Sequence, residues 1–229
     1  MKALIIADGD VNGRHVLDAG LLDDDADGRP LVIAADGGAL KAELAGLTPD
    51  LVVGDADSLA PETIDRLRGQ GIEVRVHPQA KAESDTELCL REALRRGATK
   101  VVILGALGGL RFEHSVANLL LLTLPELAER DVVLADATTT VRVMGSRSPD
   151  QLELRGLPGD LVSLLPLSEV VRGVRTTGLA YPLAGEPLHQ GPARGLSNVM
   201  QAEAATVSIE GGRLAVIHSR PPPEVPADG

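Results

Sequence analysis

Two aspartates lie two positions apart behind a glycine in the string Gly54-Asp55-Ala56-Asp57-Ser58. Carboxylate oxygens are hard ligands that suit Mg²⁺. Asp55 and Asp57 can converge on one ion if the loop turns sharply, which Gly54 permits. An ion held this way bridges and neutralises nucleotide phosphates. Three further strings share the mixture of glycine and carboxylate: Asp8-Gly9-Asp10, Asp36-Gly37-Gly38-Ala39, and Gly105-Ala106-Leu107-Gly108-Gly109-Leu110-Arg111-Phe112-Glu113-His114. Gly37, Gly38, Gly108 and Gly109 have no Cβ, so their backbone N–H groups can come close to phosphate. Arg111 offers a planar fork that pairs phosphate oxygens bidentately and can stabilise charge on a transferring group. Singly, each string has an ordinary reading. Asp-Gly is common turn chemistry, Ser58 is a good helix N-cap, and a histidine such as His114 often only starts a helix.

Their weight comes from the elements that must position them. Apolar runs at 3–7, 31–34, 51–53, 73–76, 101–104 and 131–134 alternate with helix-like stretches such as 85–96 and 113–122. This alternation predicts an α/β unit with a doubly wound parallel sheet, its strands buried on both faces. All four strings follow predicted strands, and such sheets bind ligands beyond the carboxyl ends of their strands. The helix after each loop turns its positive end to the same rim. After about Asp136 the helical period disappears. Short alternating segments at 139–144, 151–154, 161–165, 170–176, 205–209 and 213–217 predict a C-terminal antiparallel β-sandwich. Glu210-Gly211-Gly212-Arg213 reads as the hairpin turn between the last two. The expected division is 1–136 for a catalytic α/β domain, 137–220 for the sandwich and 221–229 for a disordered, proline-rich tail.

Composition narrows the function classes. A net charge of −11 and a pI near 4.9 supply no basic face for nucleic acid. An anionic substrate needs a bound cation or local basic groups to offset that charge. Cys89 is the single cysteine, so no intrachain disulfide can form, and a cytoplasmic enzyme is expected. The longest apolar stretch, near 116–124, falls short of the roughly 20 residues of a membrane span. The first strand is followed by Asp8-Gly9-Asp10-Val11-Asn12-Gly13, not by GxGxxG, which sets a dinucleotide oxidoreductase aside.

Together these strings resemble the thiamine pyrophosphokinase family over nearly the whole chain. Asp36-Gly37-Gly38-Ala39 is similar to its DGGA, and residues 54–58 are its GDxDS intact. Lys81-Ala82-Glu83-Ser84-Asp85-Thr86-Glu87 resembles KDxTDxE, and 105–114 resembles GAxGGRxDH. Similarity continues through the segment from Gly159 to Pro166, the segment from Gly173 to Leu183, and Gly195-Leu196-Ser197-Asn198. The resemblance implies transfer of diphosphate from ATP to thiamine with Mg²⁺. It also implies a homodimer whose active sites lie at the subunit interface, the α/β domain of one chain working with the sandwich of the other. Carried over by position, Asp55, Asp57 and Asp85 are the acidic metal-site residues, and Arg111 and Glu113 stand near the transferring group. Asp36, Gly37, Gly38, Gly54, Ser58, Lys81, Ser84, Gly108, Gly109 and His114 fall at the nucleotide site. Tyr181, Ser197 and Asn198 face thiamine. An aromatic partner suits a cationic thiazolium and a flat pyrimidine, and Tyr181 is one of only two aromatic residues in the chain.

Three positions depart from the family pattern. Ala82 replaces an aspartate, Glu113 replaces another, and Leu110 is an extra residue before Arg111. In the implied reaction the thiamine hydroxyl attacks the β-phosphorus of ATP and AMP leaves, with Asp85 or Asp57 receiving the proton. Two rivals stand beside it: a pyrophosphokinase acting on a hydroxymethyl-pterin, and a non-catalytic nucleotide- or thiamine-binding protein.

Overall fold

The structure is a computed structural model, and it describes residues 1–11, 28–55, 57–108, 111–145 and 150–220. Gly109, Leu110 and the tail at 221–229 lie outside the described residues. The chain divides into two compact units, Met1–Ala137 and Thr138–Gly229.

The first unit contains, in chain order, β1 (Lys2–Ile6), β2 (Leu31–Ala35), α1 (Gly38–Leu44), β3 (Leu51–Gly54), α2 (Pro61–Gly69), β4 (Glu73–Val76), α3 (Asp85–Arg95), β5 (Lys100–Leu104), α4 (Phe112–Leu121), a 3₁₀ turn (Pro125–Leu127) and β6 (Asp131–Ala135). Its strands run in the order β6-β5-β1-β2-β3-β4, and all pairs are parallel. Every residue of β1 is buried, as continuous Ala/Leu/Ile composition requires of a strand covered on both faces. From β1 the chain moves outward through β2 and β3 to β4, then returns to β5 on the other flank of β1. The strand order therefore reverses between β1 and β5, where an open α/β sheet leaves a crevice. Two local signals fix helix starts near that rim. Pro61 opens α2 with a pre-set φ, and the Ser84 hydroxyl accepts the Glu87 N–H at 3.2 Å to cap α3.

The second unit contains β7 (Thr139–Met144), β8 (Asp150–Arg155), β9 (Leu161–Pro166), β10 (Val170–Val171), β11 (Arg175–Thr177), β12 (Leu188–His189), β13 (Asn198–Val199), β14 (Ala204–Ile209) and β15 (Leu214–Ser219). Strands β13-β9-β15-β7 and β11-β14-β8 form two antiparallel layers, with β10 and β12 paired apart. Val162, Leu164, Leu214 and Val216 of one layer share a core with Leu154, Ala205, Val207 and Ile209 of the other, as a sandwich does.

Two expectations are corrected. Glu210-Gly211-Gly212-Arg213 is not a hairpin turn, because β14 pairs with β8 and β11 while β15 inserts between β7 and β9. The segment carries the chain from one layer to the other. Gly212 has a φ of +94°, and a Cβ there would meet the Val170 carbonyl oxygen at 2.5 Å. The 170–176 stretch is also not one strand. Gly173, at φ +63°, breaks it into β10 and β11, which pair in different sheets.

Candidate active site

Three carboxylates converge at the ends of β2 and β3. One oxygen each of Asp36, Asp55 and Asp57 lies within 4.8 Å of the others. Asp36 is buried, at 5% exposure, and takes up a left-handed backbone with φ 43°. Its amide donates to the Val53 carbonyl at 2.9 Å, and its Oδ2 accepts the Ser58 N–H at 2.9 Å. Among the described residues its Oδ1 is buried without a hydrogen-bond partner. A buried unsatisfied oxygen is unfavourable unless something unseen completes it. Burial accordingly raises the Asp36 pKa, against the Ser58 hydrogen bonds. Gly54 makes the approach possible, since a Cβ there would sit 2.6 Å from the Asp36 Cβ. The backbone N–H of Asp57 donates to Asp55 at 3.2 Å, and the Ser58 hydroxyl donates to Asp57 at 3.0 Å. The Ser58 bond lowers the Asp57 pKa. Ser58 thus orients two carboxylates. An all-oxygen donor set with one orphaned buried oxygen fits a hard divalent cation such as Mg²⁺.

Asp85 stands beside this trio, paired elsewhere. Its Oδ1 accepts from Lys81 Nζ at 2.7 Å, and the same ammonium lies 3.7 Å from Asp55 Oδ2. Burial alone would lower the Lys81 pKa, but the Asp85 hydrogen bond and the charges of Asp85 and Asp55 outweigh it. Ser84 serves α3 as its cap. Position 82 contributes nothing to the trio, whose third carboxylate comes from Asp36.

The glycines of the Asp36 loop are needed for close packing of protein on protein. A Cβ at Gly37 would meet Asp8 Oδ1 at 2.5 Å, and one at Gly38 would collide with the Ile6 carbonyl. Asp8 is therefore a rim carboxylate pressed against the Asp36 loop. Its Asp-Gly-Asp setting at a strand end was the sequence signal for it. On the β5 side, Gly108 has φ +71°. Its carbonyl accepts from the Ser115 hydroxyl at 3.1 Å. The buried Asn118 amide donates to Ala106 O at 3.0 Å. Ser115 and Asn118 fasten this loop to α4, and pattern reading passed over both. The signal for Asn118 is an amide set among the leucines of an apolar helix. Arg111 and Glu113 pair with each other at 2.9 Å, both exposed. Arg111 holds the Glu113 carboxyl below its usual range. His114 is also exposed, 4.0 Å from Glu113. Cys89 is buried with its thiol pKa pushed up by burial, so it is no ready nucleophile.

In the second unit the Tyr181 side chain is 70% exposed. Asn198 does not project freely beside it. Its Oδ1 accepts the Tyr181 N–H at 3.0 Å and the Val199 N–H at 2.9 Å, and its Nδ2 donates to the Tyr181 carbonyl at 2.7 Å. The buried amide clamps the Tyr181 main chain, so the ring stands out on a fixed base. Ser197 is exposed at φ 54°, and its N–H donates to the Ser163 hydroxyl at 3.0 Å.

Comparison with known proteins agrees with both units. The thiamin pyrophosphokinase catalytic domain matches residues 24–134, and the thiamin pyrophosphokinase vitamin B1 binding domain matches residues 150–214. Thiamine pyrophosphokinase 2 of Oryza sativa subsp. japonica is 26% identical over 75% of this chain, which spans 66% of that relative's length. Thiamine pyrophosphokinase of Bacillus subtilis is 26% identical over 84% of this chain and 89% of its own. The crystal structure of thiamine pyrophosphokinase from Bacillus subtilis superposes with a TM-score of 0.81 at 25% identity, covering 96% of this chain and 99% of that one.

Proposed function

The chain belongs to the thiamine pyrophosphokinase family, and from that premise we propose that it transfers a diphosphate from ATP to thiamine, giving thiamine diphosphate and AMP. The observation that carries this reading is the convergence of Asp36, Asp55 and Asp57 around an orphaned buried oxygen at the strand ends of a parallel sheet. Asp36, Asp55 and Asp57 would hold Mg²⁺, with Asp85 beside them. The ion, when bound, neutralises phosphate charge. The thiamine hydroxyl oxygen bonds to the β-phosphorus, the bond from that phosphorus to the α–β bridging oxygen breaks, and AMP departs with that oxygen. The hydroxyl proton passes to a carboxylate, Asp57 or Asp85. Such transfers depend on positioning and charge more than on covalent help. Arg111, exposed at the start of α4, would exchange Glu113 for phosphate through its fork. Tyr181 supplies the flat face for the cationic acceptor.

Two further readings accompany the activity. Phe112, Val116 and Leu120 recur at successive turns of α4 and are all exposed, which supports a homodimer. Among the described residues no helix is long and apolar enough to cross a membrane. With one buried cysteine, this supports a cytoplasmic enzyme.

The test is formation of AMP and thiamine diphosphate from ATP, Mg²⁺ and thiamine, beside an Asp57→Ala control. Turnover is expected in the parent and a loss of at least about 100-fold in the variant. Thiamine binding without turnover would replace this reading with a non-catalytic binding protein. Absence of both would turn attention to a pterin acceptor.

A further inference from the structure

We propose that Lys81 is a built-in counter-ion of the acidic site, which holds Asp85 away from a divalent cation until nucleotide phosphate draws its ammonium off. The inference rests on the metal-site reading above and adds a control step to it.

Four carboxylates meet here, and they are not equivalent. Asp36, Asp55 and Asp57 bring oxygens within 4.8 Å of one another, with Asp36 Oδ1 buried and unpartnered. The fourth, Asp85, is tied to Lys81 Nζ at 2.7 Å, and the same ammonium leans on Asp55 Oδ2 at 3.7 Å. Asp55 Oδ1 is taken by the Asp57 N–H at 3.2 Å. Lys81 therefore stands over the remaining Asp55 oxygen, where a divalent ion would also pull. Two cations on one carboxylate oppose each other, most strongly where water is scarce. The side chains of Lys81 and Asp55 are each only 13% exposed.

The backbone of Lys81 is held, and its head is bound by charge to two carboxylates. Its N–H donates to the Gln79 carbonyl at 2.9 Å, and Ser84 caps the helix that begins at Asp85. The ammonium is a compact charge with three rotatable donors on a four-carbon stem, suited to moving from carboxylate to phosphate. Once it moves, Asp85 is released toward the ion. Metal and nucleotide then assist each other's binding, and the assistance is reciprocal.

The signature is an opposite shift in two affinities. Mg²⁺ binding to the nucleotide-free full chain is measured by titration calorimetry, with Mn²⁺ paramagnetic resonance as a second readout. ATP affinity is measured separately in saturating Mg²⁺. Lys81→Met is expected to tighten Mg²⁺ binding by about tenfold or more and to weaken ATP binding. Lys81→Arg is expected to keep weak Mg²⁺ binding. A lysine that served only to hold the fold would weaken both when removed. Unchanged or weaker Mg²⁺ binding in a folded Lys81→Met protein, checked against Lys81→Gln, would overturn the proposal. Asp57→Asn keeps the two readings apart. If that variant binds Mg²⁺ as the parent does, the metal site itself is misplaced and the role of Lys81 falls with it.

Discussion

Asn198 has a structural task that its residue type alone does not reveal. An asparagine beside serine invites a reading as a ligand contact, and here its amide is buried and bonded to the main chain of Tyr181. The sequence could not separate these readings, because an amide offers the same donors and acceptor to a pyrimidine edge and to a peptide. Asn198→Ala leaves the Tyr181 N–H and C=O unmatched and frees the loop, a change worth about 1–3 kcal/mol of stability. Its expected kinetic mark is a thiamine KM at least about tenfold higher with the ATP KM unchanged, read from initial rates with each substrate varied. Equal rises in both would remove the assignment to Tyr181. Asp36 teaches the converse lesson. Its string suggests glycines that cradle phosphate; the same glycines also allow close contacts with Asp8 and Ile6, and the aspartate itself belongs to the acidic trio.

Among the elements, the parallel strands were the most legible, since Val/Ile/Leu runs such as 101–104 have few alternatives to burial on both faces. The turn at 210–213 was not legible, because paired glycines look alike whether a strand folds back on its neighbour or crosses to the other layer. The tie between α3 and the edge strand β4 was equally hidden, since it joins distant side chains. Glu92 is buried, pairs with Arg75 at 2.9 Å and accepts from Arg95 at 2.7 Å and Arg96 at 2.6 Å, while Arg96 also reaches Glu73 at 2.7 Å. The Arg95 hydrogen bond leads in lowering the Glu92 pKa, which falls from 4.5 to about 2. Because the folded value is the lower one, the stabilisation is complete above pH 4.5 and is lost as pH falls through about 2. Glu92→Gln should therefore lower unfolding free energy at neutral pH by about 2–3 kcal/mol. The gap to the parent should close in acid melts. A pH-independent gap would mean that shape, not charge, links the two elements.

At the scale of the whole molecule, the proposed reaction asks a chain of net charge −11 to bring an anionic nucleotide and a cationic acceptor together. On that proposal, a cation held by the acidic trio would reverse the local sign for the nucleotide. The exposed stripe of Phe112, Val116 and Leu120 gives self-association a test. The parent should sediment as a dimer, and Phe112→Asp with Leu120→Asp should shift it to monomer while the fold, followed by circular dichroism, persists. A parent that sediments as a monomer at micromolar concentration would remove the dimer. The place of β15 carries a consequence of another kind. It is the last described strand in the chain, yet it lies between β7 and β9. During synthesis the parallel-sheet unit can settle as soon as β6 emerges, because all its strands are already made. The second unit must wait for residue 219, and until then β7 and β9 present open backbone edges to the crowded cell. The interval before the last strand arrives is thus the time when aggregation competes with folding of the newborn sandwich.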